Sequence, residues 1–120
     1  MSAARRACLA AAALMLAGTA FAHAMLDRAS PTVGARVAAA PARVELWFSE
    51  ALEPAFSSVR VLDASGRQVD RRDTAFDTSE PGHVSVSTPP LAAGRYRVVW
   101  RAVSVDTHTT SGDYTFDIAP

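Results

Sequence analysis

No lysine occurs among the 120 residues, and cysteine occurs once, at Cys8. The first absence leaves arginine to carry all the fixed positive side-chain charge and makes the chain's N-terminus its sole amino group. The second removes disulfides, thiolate metal ligands and cysteine nucleophiles from everything after residue 8. Methionine is scarce too: Met1 and Met15 lie near the start, and Met25 is the only one beyond. Basic residues form no stripe of the kind that nucleic-acid binding requires. The one long apolar run, near the start, is too short to span a bilayer comfortably.

That run reads as part of an export signal. Arg5 and Arg6 form a positive leader, "ACLAAAALMLAG" an apolar middle, and Ala20-Phe21-Ala22 an A-x-A cleavage site. Cuts after Ala20 or Ala24 are conceivable and would leave Phe21 or Met25 first. The cut after Ala22 has the better site and spacing. We therefore expect residues 1–22 to be a signal peptide, removed with Cys8, and residues 23–120 to form one exported domain. Losing Arg5 and Arg6 turns a balance of 12 basic and 12 acidic residues into a net charge of about −2. A domain of this length buries roughly 65% of its unfolded surface and folds without staples.

Beyond residue 23 the hydrophobic period is two, not 3.6. In "RVELWF" (43–48), Val44, Leu46 and Phe48 alternate with Glu45 and Trp47. In "GRYRVVWRAV" (94–103), Tyr96, Val98, Trp100 and Ala102 stand opposite Arg95, Arg97 and Arg101, which make a solvated face. In "GDYTFDI", Tyr114, Phe116 and Ile118 face away from Asp113, Thr115 and Asp117. Phe56 is read as the start of an apolar set running through Val59 and Val61, and Trp47, Trp100, Tyr96 and Phe116 as core aromatics. "DASG" supplies a turn between Val59–Leu62 and Gln68–Val69. "GARVAAAPA" could form a helical turn, stopped by Pro41. Short strands at this spacing predict an all-β, single-domain sandwich of about seven strands.

Asp106 and His108, in "VDTHTTSG", share one face of an extended chain, about 7 Å apart. Cleavage after Ala22 would give His23 a free α-amine beside its imidazole, two nitrogens able to close a chelate ring. With the His108 imidazole and an Asp106 oxygen they make three nitrogens and one oxygen. In a plane this set suits Cu(II), which prefers tetragonal N/O coordination and tops the divalent affinity order. Zn(II) would take the same donors but prefers a tetrahedron, commonly with thiolate.

These segments resemble the CopC family of periplasmic copper-binding proteins. "HAMLDRASPTVGARVAAAPARVELWFSEALEPAFSSVRVLD" is similar to the family's opening. "GRYRVVWRAVSVDTHTTSGDYTFDI" is similar to its close, with D-x-H set between a W-R-x-x-S lead-in and an S-G exit. The resemblance spans residues 23–118. It implies a cupredoxin-like Greek-key sandwich related in shape to immunoglobulin domains. It also implies a periplasmic carrier of one Cu(II), active in copper homeostasis or resistance. The implied ligands are His23, Asp106 and His108, with Glu50 of "WFSEAL" as a weak or outer one. A CopD-like inner-membrane transporter is the partner the family suggests. Some relatives add a methionine-rich Cu(I) site in mid-chain, but "VDRRDTAFDTSEPGHVSVS" has no methionine, so that site is not expected. His83 in that segment has no evident ligand partner and is expected to be exposed and non-ligating.

Two other function classes stay in view. A copper enzyme of the histidine-brace type also uses an N-terminal histidine and a second histidine, but it leaves a position open for oxygen, which Asp106 would close. An immunoglobulin-like module with no metal would retain no copper.

Overall fold

The computed structural model describes residues 25–120; the expected signal peptide and His23 lie outside the described residues. Eight strands form two four-stranded sheets. Sheet one is ordered β1 (Leu26–Ser30), β3 (Arg43–Phe48), β6 (His83–Ser87), β5 (Ala75–Phe76). Sheet two is ordered β2 (Arg36–Val37), β8 (Thr109–Ile118), β7 (Gly94–Val103), β4 (Ser58–Leu62). Strands alternate between the sheets up to β5, and the chain crosses once more between β6 and β7. The neighbours β3·β6 and β4·β7 are therefore distant in sequence, as in a Greek-key sandwich.

The alternating pattern builds the core. Val44, Leu46 and Phe48 point inward from β3, and Tyr114, Phe116 and Ile118 from β8. Phe116 is 1% exposed and stacks on Tyr96 with ring centroids 5.7 Å apart. Removing so large a buried ring leaves a cavity that the two sheets cannot collapse around. Phe116→Ala should cost about 3–5 kcal/mol, read as a lower midpoint in urea unfolding at unchanged slope.

Four details depart from the sequence reading. The count is eight, not about seven, because two strands are only two residues long and carry no period of their own. One of them, β2, takes up Arg36–Val37 of the segment read as a possible helical turn and pairs parallel with β8. Phe56 is not core: it is 65% exposed and precedes β4, which opens at Ser58. Trp47 is not core either. It lies on the outer face of sheet one, between the Arg28 guanidinium, 4.1 Å from its ring, and the His83 ring, 4.6 Å away and parallel. Elsewhere the pattern holds. The "DASG" turn closes with Leu62 bridging Gln68, and Arg95 and Arg97 face solvent, paired across the ladder with Asp117 and Asp113.

Candidate metal centre

One end of the sandwich gathers the start of β1, the β3–β4 connection, the β5–β6 connection and the β7–β8 turn. Register places them together: Leu26 is opposite Phe48, Trp47 opposite His83, and Val103 opposite Thr109. Three short links close the end. Leu52 bridges Ser104, the Val105 N–H donates to the Ala51 carbonyl at 3.2 Å, and the Phe48 N–H donates to the Gly82 carbonyl at 2.8 Å. Gly82 is required there. Its φ is +90°, and a Cβ would come within 2.5 Å of the Phe48 carbonyl oxygen and 2.8 Å of that of Glu50.

Asp106 and His108 do not lie on an extended strand, as their i, i+2 spacing suggests. They sit in the tight turn of residues 104–108, with Thr107 at φ 74°. The turn is closed by the Thr107 N–H on the Ser104 carbonyl and the Ser104 N–H on the His108 carbonyl, each at 2.9 Å. Folding back brings the side chains into contact, with Asp106 Oδ2 3.1 Å from His108 Nδ1.

Ser104, fully buried, donates its hydroxyl to Asp106 Oδ1, and the His108 N–H reaches the same oxygen at 3.3 Å. The Ser104 hydroxyl first, and then the His108 ring, hold the Asp106 carboxyl down at about 2. It is therefore an anion throughout the physiological range. Gly112, in the S-G exit, lies beneath the Trp100 ring, where a Cβ would come within 2.4 Å of a ring carbon. The lead-in serine thus holds the turn, and the exit glycine makes room for Trp100 in the hairpin behind it. Ligand chemistry alone gave no reason to single out either.

Glu50 is half-buried in the β3–β4 connection, one residue from Ser49. Ser49 grips the first described residue from both sides. Its Oγ accepts from the Met25 N–H at 2.9 Å, and its own N–H donates to the Met25 carbonyl at 2.8 Å. The chain thus enters the fold beside Glu50. Of the four residues read as ligands, Glu50, Asp106 and His108 belong to this end, and His23 lies outside the described residues.

His83 differs from its expectation. Its side chain is only 16% exposed, with Asp77, Glu80 and Glu45 around its ring.

Comparison with known proteins bears on the whole described chain. The CopC domain family model matches residues 26–119. Copper resistance protein C of Pseudomonas syringae pv. tomato is 37% identical over 114 residues, covering 90% of each chain. The copper transport protein CutJ of Bacillus subtilis is 34% identical over 106 residues; these cover 88% of this chain and 20% of that one. Among solved structures, CopC from Methylosinus trichosporium OB3b superposes with a TM-score of 0.77 at 37% identity, covering 82% of this chain and 95% of that one.

Proposed function

Because the chain belongs to the CopC family, we propose that it is an exported Cu(II)-binding protein that carries one copper ion in the periplasm for resistance or supply. The proposed donors are the α-amine and imidazole of His23, the imidazole of His108 and a carboxylate oxygen of Asp106, with Glu50 as an outer ligand. The observation that carries this reading is the 3.1 Å Asp106–His108 pair, held by buried Ser104 at the end where Met25 enters the fold. Two residues upstream of Met25 span at most about 7 Å, so a mature chain starting at His23 would keep its first residue within that distance of Met25.

Each residue has a distinct task in this reading. Asp106 contributes an anion at no protonic cost, since its carboxyl is already ionised. His108 must offer a nitrogen lone pair, which the contact with Asp106 orients. Glu50 adds negative charge beside a divalent cation. Three nitrogens and one oxygen hold Cu(II) in a plane and leave nothing soft for Cu(I). A copper handed onward would leave as Cu(II). The CutJ relationship supports a transporter as recipient, since the part of that copper transport protein that matches this chain is a fifth of its length.

The two relatives described above are named for copper resistance and copper transport, and Asp106 as a fourth donor would close the position that an oxygen-activating enzyme keeps open. A carrier is therefore favoured over a histidine-brace enzyme. The exported protein should bind one tight Cu(II), with an axial type 2 paramagnetic resonance spectrum and no intense blue band. Its intact mass should begin at His23. Tight Cu(I) retention against a chelator, or a chain that holds no copper, would overturn the reading.

A further inference from the structure

We propose a second, weaker site for a divalent transition-metal ion on the outer face of sheet one, formed by His83, Asp77 and Glu80 and oriented by Glu45. His83 opens β6 and points outward beside the β5–β6 connection. Its Nδ1 is 3.2 Å from Asp77 Oδ2 and 3.7 Å from Glu80 Oε2. One ligand atom from each of the three residues lies within 4.8 Å of the others. An ion with contacts of about 2.0–2.2 Å separates its donors by roughly 3.0–3.4 Å, so small side-chain movements suffice.

Two further features distinguish this group from a chance gathering of surface acids. The other ring nitrogen, Nε2, is 3.2 Å from Glu45 Oε1, a carboxylate on a different strand. Metal-binding histidines carry such a partner: it fixes which nitrogen keeps its hydrogen and makes the opposite one a better donor. The ring plane is set as well, because His83 stacks on Trp47 with an interplanar angle of 1°. Carboxylates on both sides and an indole face leave Nδ1 aimed at Asp77 and Glu80.

The ion would sit at Nδ1, between the ring and the two carboxylates, with Nε2–H kept toward Glu45. Asp77 is fixed in place for this: Ser79 donates both its N–H and its hydroxyl to Asp77 Oδ1, leaving Oδ2 toward the ring. One imidazole and two carboxylates suit Cu(II) best among common divalent ions, with water completing the shell. With one nitrogen donor, the site binds more weakly than a three-nitrogen set.

The site does not depend on the donors proposed for the first copper, so the two can fail separately. Titrating the one-copper protein with further Cu(II), by equilibrium dialysis with paramagnetic resonance, should show a second equivalent. His83→Ala and Asp77→Asn should lose it while retaining the first, and Glu45→Gln should weaken it about 10–100-fold. Circular dichroism checks the fold of each variant, with Asp77→Asn preserving the His83–Trp47 stack. Absence of a second equivalent up to millimolar metal, or one that His83→Ala and Asp77→Asn both keep, would overturn the site. A single copper lost in both His83→Ala and Asp77→Asn would instead sink the N-terminal reading, so the site proposed here is overturned only where no bound equivalent depends on those two residues.

Discussion

Acetylation of its single α-amine should leave the exported protein folded and abolish tight Cu(II) binding. With no lysine in the chain, an amine-directed reagent has one target once the signal is cleaved. An unperturbed α-amine titrates at roughly 7.7–8.0, so copper must displace a proton from it near neutrality. Acetylation turns that nitrogen into an amide, a poor donor, and opens the chelate ring proposed for His23. Bound copper should in turn protect the amine from the reagent. A chain extended by one residue before His23 should fail in the same way. Equal Cu(II) affinity in the acetylated or extended protein would sink the proposed donor set.

The same site gives copper release a sign with pH. Asp106, with its carboxyl at about 2, keeps its charge as pH falls and is the last donor to be lost. Acidification therefore acts on the nitrogen donors, which must be free of protons to bind, and affinity should fall steadily below neutrality.

His108→Ala should weaken Cu(II) binding by about 100-fold or more, with apo stability close to wild type. The side chain is 47% exposed, and removing it opens no core cavity. Asp106→Ala is a less clean test, since it also takes an acceptor from the buried Ser104 hydroxyl. Asp106→Asn keeps that acceptor and removes the charge, so it separates the metal role from the turn. Titration against a competing chelator reads affinity, and thermal unfolding of the apo variants reads the turn. An apo fold that collapses in His108→Ala would make that residue structural.

What could be read from the sequence, and what could not, follows from the range of the interactions. Val44, Leu46 and Phe48, or Tyr114, Phe116 and Ile118, declare themselves because burial repeats every second residue along one strand. Phe56 misleads because it lies near β4 in sequence but outside its pleat. Trp47 misleads because an aromatic on an outer face, covered by Arg28 and His83, looks the same in sequence as one in the core. The D-x-H pair is legible as composition, but its geometry is not. Extended spacing would separate the two side chains, whereas the turn, with Thr107 at positive φ, brings them into contact. His83 was missed because Glu45 is 38 positions away and meets it only through the β3·β6 register.

The strand order also sets a sequence in time. The β7–β8 turn belongs to a local hairpin, the kind of element that closes within microseconds, so Asp106 and His108 can meet early. Glu50 and the chain entry at Met25 join them only after β1 has docked on β3 and Leu52 has bridged Ser104. Sandwiches dominated by such non-local pairings fold as a whole over milliseconds to seconds. The complete set of proposed donors is thus a product of finished folding and cannot guide it. The apolar core holds the sandwich together without any of the proposed donors, so a copper ion would be taken aboard by a molecule already built.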